Sequence, residues 1–121
     1  MKIKEILREH IEQKYYHCSR MENYDNILEN GLLPNMPSEH EASDGGIYLF
    51  KYIDSAEEWI EEQMLPYTKT AIDIWEIIPP KDIILIKDEH EDLEGMGSYV
   101  TYDPIPPEFI RHLSRHKVSF Y

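Results

Sequence analysis

His17 and Tyr48 are the residues of this chain best placed to do chemistry. The run Tyr15-Tyr16-His17-Cys18-Ser19 sets an imidazole inside a short aromatic stretch, and Gly45-Gly46-Ile47-Tyr48-Leu49-Phe50 opens a second stretch of the same kind. Both read as strands, because aromatic and β-branched residues bounded by turn formers fit a pleated surface. A histidine and a tyrosine on neighbouring strands could hold a flat ligand between them. Alternation puts Tyr15, His17 and Ser19 on one face of the first strand. Three hydrogen-bonding side chains in register read as a ligand wall. The plainer alternative is a half-buried histidine that satisfies a structural hydrogen bond. Cys18 beside His17 invites a thiolate–imidazole reading. Adjacent strand residues point to opposite faces, so that pair cannot form there, and Cys18 is expected to be a buried structural cysteine.

Other chemistries find less support. The chain has six histidines. Only His112 and His116 have helical metal-ligand spacing, and they sit in a stretch that reads as a strand. His90 lies among Glu89, Glu91 and Asp92, a run that fits a solvated acidic loop better than a cation site. Gly45-Gly46 lacks the following Lys-Ser/Thr of a phosphate-cradling loop, and Gly95-Met96-Gly97 lacks a third glycine. No metal is therefore expected.

The elements that must position His17 and Tyr48 follow from periodicity. Residues 2–14 carry Ile3, Ile6, Leu7, His10 and Ile11 at helical spacing, an amphipathic helix. After the first strand, residues 23–30 place Tyr24, Ile27 and Leu28 on one helical face, with Asn23 as N-cap and Gly31 at the left-handed position past the end. Pro34 stops the helix, and residues 34–46 form a long polar loop. Ile47–Lys51 is a strand. Asp54 or Ser55 caps a helix bearing Ala56, Trp59, Ile60 and Met64. Strands are expected at residues 70–78, 83–86, 98–102 and 109–113, with an acidic loop at 88–95 and a rigid Pro104-Ile105-Pro106-Pro107 turn. The pattern is α+β, with helices early and strands late.

At 121 residues the chain fits one domain, residues 1–121, able to bury a core without staples. No apolar stretch approaches the roughly 20 residues that span a bilayer, and the N-terminus lacks the apolar region of a secretory signal. The single cysteine excludes an intramolecular disulfide and suits a cytoplasmic, reducing setting. Twelve Lys and Arg against 24 Asp and Glu give a net charge of −12. Such a surface repels phosphate backbones, which argues against a nucleic-acid partner. It reads as a soluble acidic protein, or as one that offers acid to a basic site on a partner.

Taken in order, Tyr16-His17-Cys18-Ser19, Asn30-Gly31-Leu32, Gly46-Ile47-Tyr48-Leu49-Phe50, Ala56 within a helix and Ile105-Pro106-Pro107-Glu108-Phe109-Ile110 resemble the small ADP-ribosyltransferase-fold proteins of phages and bacteria and, more distantly, the RNA 2′-phosphotransferases. The motifs are short, and the resemblance spans residues 15–113. It implies a split two-sheet core with N-terminal helices that binds NAD as a substrate. It also implies roles. His17 bonds the ribose hydroxyl beside the nicotinamide, the backbone of Cys18 grips the carboxamide, and Tyr48 stacks on the ring, with Ser19 and Ser98 lining the same site. The family's third element is a glutamate opening a late strand, which would stabilise the cationic ribosyl transition state. Here Ser98 stands in that place, so Glu94 is the substitute acid, with Asp103 and Glu108 less well placed. Two functions follow from the resemblance. One is transfer of ADP-ribose to a bacterial protein acceptor. The other is a non-catalytic acidic protein of phage or mobile-element origin that binds and inhibits a host defence or regulatory protein.

Overall fold

The structure is a computed structural model and describes residues 13–34, 45–64, 70–87 and 97–117. The amphipathic helix expected over residues 2–14, most of the 34–46 loop, the 88–95 loop and Glu94 fall wholly or largely outside the described residues.

The fold is α+β. Among the described residues six strands form one antiparallel sheet: β1 (Tyr15–Arg20), β2 (Ile47–Phe50), β3 (Ile72–Ile77), β4 (Ile86–Lys87), β5 (Ser98–Thr101) and β6 (Ile110–His116), in the order β4-β5-β2-β1-β3-β6. Two short helices among the described residues accompany them, α1 (Tyr24–Asn30) and α2 (Ile53–Trp59), the latter running on into a π-helical turn over Ile60–Met64. Among the described residues both helices precede the last four strands, as expected, with β1 set before them and β2 between them. Where two sheets were expected, the strands join in one. The junction is thin, however. β1 pairs with β3 from Tyr15–Ile77 through Arg20–Ile72, whereas β1 and β2 share the single register pair Tyr16–Phe50. The sheet therefore consists of two three-stranded halves meeting at a seam between β1 and β2.

Two apolar clusters flank the sheet. Cys18, Phe50, Ala56, Ile60, Ile72 and Ile74 pack on the α2 side, joined by Tyr16, Trp59 and Leu113. On the α1 side Ile27, Leu32, Ile47, Leu49, Trp75, Ile77 and Ile105 pack together, with Tyr15 and Tyr24 at the margin. β3 is buried along its whole length, including its two acids, Asp73 and Glu76. Trp75 is completely buried. Its ring removes about 200 Å² from water, on the order of 5 kcal/mol of apolar burial as an upper bound.

Several expected details differ. Asn23 holds the N-cap position of α1 without a side-chain cap bond, because a 3-10 turn (Met21–Asn23) already leads into the helix. Ile27 faces the core, but Leu28 is 48% exposed. Seven residues make only two turns, and the face that holds Tyr24 and Ile27 turns Leu28 outward. α2 begins at Ile53 with Tyr52 at the N-cap, so Asp54 and Ser55 lie inside its first turn and do not cap it. The apolar run 83–86 is mostly not strand. The backbone N–H of Ile84 is taken by the Asp103 carboxylate at 2.9 Å, and β4 starts only at Ile86. β6 extends to His116, past the expected end at Leu113. Among the described residues no helix is long and apolar enough to cross a membrane.

Candidate functional site

His17 stands at the seam. Continuing the Tyr16–Phe50 register would bring Cys18 opposite Tyr48, but the ladder does not extend that far. The imidazole of His17 instead meets the Tyr48 carbonyl, with Nδ1 2.8 Å from that oxygen. A carbonyl only accepts, so Nδ1 carries the proton and donates. In the neutral ring Nε2 is then left as an acceptor, with no partner among the described residues.

The ring is also held neutral. Burial lowers the His17 pKa, and the bond to the Tyr48 carbonyl, which raises it, offsets only part of that effect. The unfolded chain therefore binds this proton more readily than the native fold. The stability contributed by neutral His17 is fully present above the ordinary histidine value of about 6.5 and is lost as pH falls through the lower native value. Urea midpoints between pH 7 and 5 should fall more steeply for the native chain than for His17→Gln, and parallel slopes would refute the assignment.

Cys18 points to the other side of β1. Its thiol is buried and lies 3.8 Å from the Ala56 carbonyl. Burial pushes its pKa far up. A thiol that cannot ionise is a poor nucleophile, which agrees with a structural role. In the native state at pH 8 Cys18 should react with Ellman's reagent at least about a hundredfold more slowly than in the urea-unfolded chain, since only transient opening exposes it. Rapid native labelling would count against this.

Ser19 shares the face of His17 and is 3% exposed. Its oxygen accepts the indole N–H of Trp75 at 2.9 Å. Tyr15, the third member of the expected wall, is half-buried and meets Tyr99 edge-on at 5.7 Å, across the seam from β1 to β5. Tyr48 is half-buried and pairs in register with Val100. Alternation puts its ring on the Phe50 side of β2, opposite Leu49. The direct link between the two motif residues is thus from the His17 ring to the Tyr48 backbone.

Ser98 opens β5, buried and opposite Phe50. The carboxylate of Asp103 is engaged by Ile84, and Glu108 is exposed in the 3-10 turn Pro107–Phe109. Glu94 lies outside the described residues. His112 and His116 sit on β6 opposite Trp75 and Ile72, separated by a register irregularity, and among the described residues no group of three His, Cys, Asp or Glu is placed to hold a metal.

A second polar centre, marked by no motif in the sequence, lies on β3. Asp73, fully buried on β3, receives Arg115 Nε at 2.7 Å and Arg115 Nη2 at 3.1 Å, with His112 Nε2 at 3.0 Å. The Arg115 guanidinium also lies over the Tyr24 ring. The signal for it was an acid inside a buried apolar strand, which demands a cationic partner.

No protein-family model matches the chain, no curated protein matches it, and no solved structure matches it.

Proposed function

We propose that this chain binds NAD or a closely related nucleotide at the β1–β2 seam, as an ADP-ribosyltransferase-like domain. The observation that carries the reading is the His17 clasp. An imidazole fixed by the Tyr48 carbonyl presents Nε2 as an acceptor where the β1–β2 ladder stops after one pair. A ribose hydroxyl is a natural donor to such an atom, and a neutral ring keeps the acceptor available at pH 7. The one-pair junction supports a split core, and it leaves the β2-facing edge of β1 near Cys18 without a continuing strand ladder. That is where the resemblance calls for a backbone grip on the carboxamide. The Tyr48 ring lies on the Phe50 side of β2, away from the face of His17, so Tyr48 takes part through its backbone carbonyl and not as a stacking ring.

In the transferase form of the proposal the nicotinamide–ribose bond breaks as a bacterial protein acceptor attacks, and Glu94 carries the charge that steadies the cationic ribose. A second reading is favoured by Ser98. The position that opens β5 has a neutral hydroxyl and not a carboxylate, which suits a non-catalytic acidic protein that binds a host defence or regulatory protein.

Titration calorimetry with NAD, and nicotinamide release in the presence of bacterial lysate, test these readings. The native chain should bind NAD, and His17→Ala should weaken binding at least about tenfold, the value of one charge-free hydrogen bond and its desolvated partner. Absence of binding by the native chain defeats the nucleotide reading. Release that depends on Glu94, lost in Glu94→Gln, supports transfer. Binding without release supports the second reading.

A further inference from the structure

We infer that Trp75 is a positioning residue that makes the seam a reader of a ribose diol, with Ser19 as fixed donor and His17 as fixed acceptor. The inference rests on the nucleotide reading above.

Trp75 is completely buried and its indole nitrogen can only donate, so the Ser19 oxygen is the acceptor in their 2.9 Å contact. The Ser19 proton must then point away from the indole. Ser19 is 3% exposed, and no acceptor for that proton lies among the described residues. A buried hydroxyl with an unused proton is uncommon, because burial without a partner is costly. At His17 the opposite holds, since the Tyr48 carbonyl fixes the proton on Nδ1 and leaves Nε2 to accept. One face of β1 therefore offers a donor and an acceptor two residues apart, about 7 Å along the strand. Two hydrogen bonds of about 2.8 Å, together with the width of one diol, span that distance.

The pattern selects its ligand. Adjacent hydroxyls can satisfy both groups, one donating to His17 and its neighbour accepting from Ser19. A ligand lacking either hydroxyl leaves one buried group unpaired. Without the indole, Ser19 could turn its proton elsewhere and the preference would relax. Trp75 thus acts through Ser19 and not by touching the ligand. Register supports this, because Trp75 is the β3 partner of His17 and its ring lies beneath the same face.

The test compares NAD with analogues in which the nicotinamide-side ribose lacks the 2′- or the 3′-hydroxyl, by calorimetry on the full chain. The native chain should prefer NAD by about tenfold or more over each analogue. In Trp75→Phe, which keeps a ring but loses the N–H, at least one preference should shrink to about twofold. Trp75 is in the core, so Ser19 is varied in parallel: Ser19→Ala should lose the same preference and Ser19→Thr should restore it. Equal weakening of all three ligands in Trp75→Phe, with the ratios intact, marks a purely structural tryptophan and overturns the inference. Ratios unchanged in Ser19→Ala overturn it as well. If the native chain fails to bind NAD, the nucleotide reading falls and takes this one with it. If it binds NAD through His17 but shows unchanged ratios in the Trp75 and Ser19 variants, only the present inference fails.

Discussion

Gly31→Ala should lower stability by about 3 kcal/mol, a large effect for a single methyl group. Gly31 follows α1 with φ 75° and ψ −160°, a region that is essentially closed to residues with a Cβ. Space is lacking too. A Cβ built there would sit 2.1 Å from the Ile105 carbonyl oxygen and 2.9 Å from the Pro107 nitrogen. Both are backbone atoms, and neither can swing aside. Leu32 and Ile105 exchange paired backbone bonds of 2.9 and 2.8 Å, so the clash falls where the chain leaving α1 is tied to the segment after β5. Relieving it means breaking that pair and shifting two completely or nearly buried side chains. Gly97 provides the internal control. It also has positive φ, at 63°, but its nearest obstacles are side-chain atoms of Lys51 and Tyr52 at 3.1 Å. Gly97→Ala should therefore cost only about 1 kcal/mol. Urea denaturation measures both. For Gly31→Ala the melting temperature should drop by about 10 °C. A loss below about 1 kcal/mol, or one no greater than that of Gly97→Ala, would show that the Ile105 segment yields more easily than its hydrogen bonds suggest.

That junction also shows what could be read from sequence alone. Glycine after a helical stretch, then apolar residues and proline, signals a helix stop, and the stop is there. Nothing local reveals that Ile105 lies against it, since that contact joins residues far apart in the chain. β1, β2, β3 and β5 were legible because their apolar and aromatic residues follow the rules of a half-buried or buried strand. Residues 83–85 misled for the same reason. Ile83 and Leu85 pack against the core, so they resemble strand, but the backbone of Ile84 bonds to an Asp103 side chain and not to a neighbouring strand. At the candidate site, alternation correctly separated His17 from Cys18. The seam was not readable, because a ladder that stops after one pair leaves no trace in composition. Nor was the Trp75–Ser19 bond, which depends on β1–β3 pairing. The Asp73–Arg115 pair depends on β3–β6 register, shifted by an irregularity between Ile74 and Trp75.

Asp73→Ala should be the other severe substitution, costing about 3 kcal/mol. The carboxylate is fully buried, and its two oxygens accept three hydrogen bonds from Arg115 and His112. Charge-assisted bonds of this kind are stronger than neutral ones, and a two-pronged guanidinium contact is geometrically specific. Removing the acid leaves a cavity and two donors facing it. Their side chains are 32% and 28% exposed, so both can turn partly toward water, which keeps the cost below the upper end for an orphaned buried charge. Asp73→Asn keeps one acceptor oxygen of nearly the same shape and should fall between native and Ala. Arg115→Lys should not rescue the pair, since an ammonium cannot reach both oxygens in one plane. The Lys14–Glu76 contact is the useful comparison. It is longer, at 3.8 Å, and Lys14 is half exposed, so Lys14→Ala should change stability little. Urea unfolding of the four variants gives the ranking. If Asp73→Ala costs no more than Lys14→Ala, the centre does not hold β3 to β6. If the ranking holds, the ion cluster braces β6 against the strand that carries Trp75, and through that indole it helps fix the Ser19 hydroxyl beside His17.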